Sequence, residues 1–104
     1  MTDAEAKTAA LLATLWVKIR PLVEERLATL DQAAAAAKAG TLAEDLRKQA
    51  AGSAHKLAGS LGMYGYDEGT RVARELEVLL GEAAPDAAKL GALIQELRAA
   101  IPAA

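Results

Sequence analysis

His55 is the only histidine of the chain, and three glycines follow it, at positions 59, 62 and 65, in the stretch SAHKLAGSLGMYGY (residues 53–66). A neutral imidazole is a good nucleophile, and an exposed histidine is mostly neutral near pH 7. An interior glycine costs a helix about 1 kcal/mol relative to alanine. Because alanine is plentiful in this sequence, the glycines beside the lone histidine need a physical reason.

Apolar residues recur at three- and four-residue steps, the period of an amphipathic helix, in a first region that starts at Asp3. Its apolar members include Leu12, Leu15, Trp16, Ile19, Leu22, Val23, Leu27 and Leu30. Pro21 lies inside this region, where it removes a backbone donor and crowds the preceding turn. We therefore expect a kink or a break into two helices at Pro21, and we expect Gly40 to end the region.

A second helical region is predicted from about Leu42. Thr41 followed three residues later by Glu44 is a capping-box pattern that marks its start. Gly65 is expected to end this region, and its buried stripe is predicted from the apolar spacing. The stripe comprises Leu42, Leu46, Ala50, Leu57, Leu61 and Tyr64.

Two further helices are predicted in the last third of the chain. Asp67 is placed to cap the third helix, which Gly81 ends. The fourth helix starts near Asp86, directly after Pro85. Their apolar positions are Val72, Ala73, Leu76, Leu79 and Leu80, then Leu90, Leu93, Ile94, Leu97 and Ile101.

These elements predict an all-α protein, an up-down antiparallel four-helix bundle with an additional N-terminal helical segment. Short connections make consecutive helices antiparallel, and the segment before Pro21 is expected to lie across one end. A length of 104 residues fits one domain, 1–104. We expect a monomer, because the bundle should bury every apolar stripe and leave no apolar face for a second copy of the chain.

Charge and composition exclude several classes of partner. A net charge of −2 offers no general attraction to nucleic acid or to an anionic membrane. No apolar run reaches the roughly 20 residues needed to cross a bilayer, and the absence of cysteine fits a reducing compartment such as the cytoplasm. We expect no metal or other cofactor, because one histidine without cysteine would need carboxylates inside the core to bind one.

Helical geometry places His55 on the surface. At about 100° per residue, the predicted stripe of the second helix spans about 60° on either side of Leu46, and His55 lies opposite it. Gly59 and Gly62 share the outer face, so we expect them to clear the side chains that would crowd the imidazole. A group attached to the ring, or a partner protein that approaches closely, would use this space. The alternative is a solvated histidine without function and glycines that serve helix packing.

The residues around His55 resemble the histidine-containing phosphotransfer (HPt) domains of two-component phosphorelays. The matching pattern is Ala54-His55-x-Leu57-x-Gly59-Ser60, then Tyr64-Gly65, then Leu76-Glu77 in the following helix. The similarity covers nearly the whole chain in helix order. It departs at one position, because Ala58 stands where the family usually has a lysine that favours the phosphoryl group electrostatically.

This resemblance implies that His55 is the phospho-acceptor and that Gly59 gives clearance. Lys56, adjacent to His55, is a candidate substitute for the missing cation, and Ser60 lies toward the packing side of the helix as a small residue. Glu77 either orients the imidazole from the neighbouring helix or is a solvated charge. Arg71 and Arg74 are expected to be surface charges.

The implied partners are response-regulator receiver domains and a histidine kinase, including hybrid kinases. The receiver would supply the Mg²⁺ and most of the charge stabilisation, so the chain is a phosphoryl carrier and an enzyme only in a loose sense. Two alternatives stay open. One is a receiver-binding module that no longer carries phosphate, suggested by Ala58. The other is the phospho-accepting domain of a chemotaxis-type kinase. The start at Met1 favours a free-standing protein over this second alternative.

Overall fold

The computed structural model describes residues 2–102, which form four α-helices. Helix α1 spans Asp3–Lys38, α2 spans Glu44–Met63, α3 spans Asp67–Leu80 and α4 spans Ala87–Ala100. Each helix contacts its neighbour along the chain, and α4 also contacts α1. The predicted all-α four-helix bundle is therefore confirmed. None of these helices is long and apolar enough to cross a bilayer.

The core is built from aliphatic side chains of all four helices together with Trp16 of α1. The largest of its fully buried side chains are Leu27, Leu30, Leu57, Leu61, Leu76, Leu80, Leu90 and Leu97. Small residues such as Ala33, Ala50 and Ala54 are completely buried between them. This is the packing expected of a chain with abundant leucine and alanine and no phenylalanine.

Helix α1 continues through Pro21, so the break into two helices, one of the two expected outcomes, is wrong, and the kink stays a prediction. The proline removes the backbone donor that would reach the carbonyl of Val17. Val17 is 64% exposed and Pro21 is also exposed, so water can satisfy that carbonyl. The 36 residues of α1 correspond to about 54 Å of helix, which matches the longest dimension of the molecule, 53 Å.

The segment before Pro21 therefore does not lie across one end of the bundle but prolongs α1. Trp16 is its first buried residue, and the side chains of Leu11 and Leu15 are 59% and 38% exposed. The expectation that the bundle buries every apolar stripe is thus wrong for this segment. The monomeric state that rested on it stays a prediction.

The three aromatic residues hold α1 to the turn between α2 and α3. The ring of Trp16 lies edge-on to Tyr64 and Tyr66, with centroid distances of 5.4 and 5.0 Å. The two tyrosine rings are stacked 6.3 Å apart. Tyr64, predicted to belong to the buried stripe of α2, is half-buried in this cluster. The cluster fixes one end of α2 and α3 against α1.

Glycines end α1 and α2 in the same way. Gly40 and Gly65 have φ angles of 73° and 77°, the left-handed region that favours glycine. After Gly65, the backbone N–H of Tyr66 donates to the carbonyl of Leu61 at 2.9 Å, which closes the last turn of α2. The expected ends at Gly40 and Gly65 are confirmed.

The predicted capping box at Thr41 is wrong. Helix α2 begins at Glu44 after Ala43, which provides no side-chain cap. The backbone N–H of Thr41 donates instead to the carbonyl of Ala36 at 2.8 Å, and its hydroxyl donates to the same carbonyl. Thr41 therefore belongs to the end of α1, because the left-handed turn at Gly40 directs it back.

Asp67 is the first residue of α3 rather than its N-cap, which is Tyr66. Tyr66 is held by its bond to α2 and by the aromatic cluster, so the helix starts one residue earlier. Asp67 still carries negative charge in the first turn, where the helix dipole favours it. Gly81 ends α3 as predicted, and Asp86 caps α4 by accepting the N–H of Lys89 at 2.9 Å.

The structure predicts opposite effects of the same substitution at two glycines. A β-carbon at Gly59 would meet nothing within 4 Å, whereas one at Gly69 would lie 3.0 Å from Cδ1 of the fully buried Leu61. Gly59→Ala should raise the free energy of unfolding by up to about 1 kcal/mol through helix propensity. Gly69→Ala should lower it by about 1 kcal/mol, because overpacking outweighs the same gain. Urea unfolding of both variants checks this, and equal stabilities would show that Gly69 is not tightly packed.

Candidate functional site

Helix α2 presents His55 to solvent because the opposite face of the helix is buried in the core. Ala50, Leu57 and Leu61 are completely buried, while the side chain of His55 is 73% exposed. The predicted outward direction is confirmed. The buried face is wider than predicted, since it also includes Ala54 and Ala58.

Glu77 of α3 holds the imidazole of His55. One carboxylate oxygen, Oε2, lies 2.8 Å from Nδ1 of the ring. Because an ionised carboxylate can only accept a hydrogen bond, this contact requires the proton of a neutral imidazole to be on Nδ1. Within residues 2–102, the ring makes no other hydrogen bond, so the lone pair of Nε2 is available to a reactant.

A cleft of about 370 Å³ opens beside the ring between α2 and α3. It is lined by His55, Ala58, Gly59, Arg74, Glu77 and Val78. Since one water occupies about 30 Å³ of liquid, the cleft can hold a small anionic group together with water. A larger groove of about 950 Å³ runs beside it along α3 and shares Arg74 and Val78, but it does not include His55.

Gly59 keeps this cleft open in a different way from the one expected. A methyl group at position 59 would have no neighbour within 4 Å, so it would not touch the imidazole. The expectation that Gly59 prevents crowding of the imidazole is therefore wrong, and clearance for an approaching group stays a prediction. Gly62 differs, because a β-carbon there would lie 3.6 Å from the hydroxyl of Thr70 and so faces α3.

The structure brings together His55, Gly59 and Glu77 of the predicted residues and leaves Lys56 and Ser60 outside the cleft. Lys56 is exposed on the adjacent face of α2. Ser60 is half-buried, and its hydroxyl accepts a hydrogen bond from Arg26 of α1 at 3.2 Å. It lies on the packing side of the helix, as expected.

Arg71 belongs to a network that ties α3 to α4. Its guanidinium pairs with Glu68, with Glu75 at 2.6 Å and with Glu96 of α4 at 3.0 Å. The hydrogen bond from Arg71 lowers the pKa of Glu68, and the same partners raise the pKa of Arg71. Arg71 therefore pairs with these three carboxylates rather than with the histidine.

Two further residues line the cleft: Arg74, which is exposed as expected but is also part of the site, and Val78, which the sequence did not single out. Arg74 stands three residues before Glu77 and four residues before Val78, so it neighbours both on the surface of α3. Once Glu77 is placed against His55, helical spacing alone assigns both residues to the same side. The sequence therefore contains the spacing that groups these residues, but this spacing identifies the cleft only once the register between α2 and α3 is given.

The arrangement fits a nucleophilic imidazole better than a metal site. No group of three or more histidine, aspartate or glutamate side chains within residues 2–102 is placed to bind a metal ion. A fixed ring with one nitrogen bonded to a carboxylate and the other exposed can accept and carry a small group.

Comparisons with known proteins agree with this chemistry. A family model described as the Hpt domain matches residues 15–104. Protein RcaC of Microchaete diplosiphon is 31% identical over 80 residues, which cover 77% of this chain but 12% of that protein. No solved structure matches the chain significantly. The match over most of the sequence shows that the chain belongs to the Hpt domain family.

Proposed function

We propose that His55 carries a phosphoryl group between aspartates of response-regulator receiver domains in a phosphorelay that begins at a histidine kinase. The observation that carries this proposal is the contact of Glu77 with Nδ1, at 2.8 Å, on a ring whose side chain is 73% exposed. It leaves Nε2 as the reactive nitrogen and directs it to the surface where a protein partner can reach it.

The transfer balances with the groups that the two proteins supply. The lone pair of Nε2 attacks the phosphorus of an aspartyl phosphate, an N–P bond forms, and the P–O bond to the aspartate breaks. The electron pair of that bond leaves with the aspartate as a carboxylate. The ring keeps its proton on Nδ1 and becomes positively charged, and the carboxylate of Glu77 faces that charge. The reverse step passes the group to a second receiver.

The partner must complete the catalytic machinery. Phosphoryl transfer depends on positioning and on charge stabilisation, usually by Mg²⁺ and cationic side chains. The cleft beside His55 is open, so we propose that the receiver brings Mg²⁺ and that this chain acts as carrier. We also propose that the exchange takes place in the cytoplasm, a reducing compartment with which the lack of cysteine is compatible.

His55→Gln should abolish labelling while leaving the fold intact, because the side chain is exposed and contributes nothing to the core. The wild-type chain, mixed with phosphorylated receiver and Mg²⁺, should gain a label that is acid-labile and base-stable, as expected of an N–P bond. Unchanged circular dichroism is the control for folding. Label that survives the substitution would show that His55 is not the acceptor. Receiver binding that is indifferent to both phosphorylation and His55 would favour the binding-module alternative suggested by Ala58.

Glu77→Gln should slow phosphoryl acceptance about five- to tenfold, because hydrogen bonds to charged groups contribute about 1.5–3 kcal/mol when buried and less at this half-exposed site. Nitrogen NMR of His55 should show Nδ1–H in the wild type and a shift toward the Nε2–H form in the variant. Glu75→Gln is the matched control on the same helix, since Glu75 pairs with Arg71. Identical tautomers and rates in the two variants would show that Glu77 does not position the imidazole of His55.

Gly59→Ala should separate the approach of a protein from the reactivity of the ring. Because the new methyl group would not touch the imidazole, phosphorylation by the small donor phosphoramidate should be unchanged. Transfer from a phosphorylated receiver should slow roughly tenfold, since small displacements of reacting groups cost large rate factors. Equal receiver rates for wild type and variant would show that Gly59 does not serve partner approach.

A further inference from the structure

Arg74 lies on α3 one turn before Glu77 and lines the cleft beside His55. Within residues 2–102 its guanidinium has no ion-pair partner, in contrast to Arg71, which has three. Helices α2 and α3 are antiparallel neighbours, so the turn that precedes Glu77 on α3 faces the turn that follows His55 on α2. This turn of α2 carries Ala58 and Gly59, which line the same cleft.

A phosphoryl group on Nε2 would need a cation here. It carries a charge of about −1.5 to −2 near neutral pH and would stand close to the carboxylate of Glu77. Lys56 lies outside the cleft, about 100° around α2 from His55. Arg74 is the cationic side chain that lines the cleft.

Ala58 makes room for this arrangement. Its side chain ends at the β-carbon and is only 5% exposed, so α2 contributes no charge at this position. The space above it is the cleft itself, and a long side chain from α3 can cross it. The planar guanidinium of an arginine can donate two parallel hydrogen bonds to phosphoryl oxygens.

We propose that Arg74 binds the phosphoryl group on His55 through its guanidinium, so that the compensating cation comes from α3 rather than from α2. This inference rests on the proposed function of His55 as phosphoryl carrier. It assigns to Arg74 a direct contact with the transferred group and leaves Lys56 without one.

The contact can be measured without a partner protein. The chain is phosphorylated with phosphoramidate, and the phosphorus NMR signal of phospho-His55 is followed against pH. A neighbouring cation favours the dianion, so the pKa of the phosphoryl group should rise by about 0.5 or more in Arg74→Gln. Arg74→Lys should retain part of the effect, and Lys56→Gln, which removes the same charge outside the cleft, should have almost none.

The outcomes distinguish this inference from the proposed function. Equal phosphoryl pKa values in the wild type and Arg74→Gln, or equal shifts in Arg74→Gln and Lys56→Gln, would overturn the role of Arg74 while His55 remains the acceptor. If phosphoramidate labels the wild-type chain but no receiver does, the relay is overturned. The contact of Arg74 with the phosphoryl group can then still be measured. A wild-type chain in which His55 takes no phosphoryl group from phosphoramidate would overturn both.

Discussion

The antiparallel register between α2 and α3 is the constraint on which the site depends. A shift of one residue in either helix would rotate its side chains by about 100° and separate His55 from Glu77. The register is held at one end by the left-handed turn at Gly65 and by the stacking of Tyr64 and Tyr66. Along the helices it is held by the leucine and alanine side chains that meet in the core. The chemistry at the surface is therefore positioned by packing beneath it.

Local signals in the sequence were sufficient for much of the fold. Gly40 and Gly65 end their helices because only glycine readily adopts the left-handed conformation found there. Asp86 caps α4 because its side chain reaches the backbone N–H three residues on. The outward direction of His55 follows from helical spacing and from the apolar residues opposite it. Each of these inferences needs information from only one helix.

The features that the sequence did not reveal depend on tertiary context. Pro21 leaves α1 intact because it lies where the freed carbonyl can reach water. Thr41 matches a capping pattern but is drawn back to α1 by the turn that precedes it. Arg74 enters the cleft because α3 packs in one particular register, and the contact of Glu77 with His55 depends on the same register.

The identity of the phosphorylated nitrogen tests the account most directly. Because Glu77 contacts Nδ1, we expect the N–P bond to form at Nε2. Nitrogen–phosphorus correlation NMR of the chain, labelled with ¹⁵N in histidine and phosphorylated by a receiver, distinguishes the two isomers. We expect Nε2-phosphohistidine at position 55. Phosphorylation at Nδ1 would contradict it, since that product requires the contact between His55 and Glu77 to be absent.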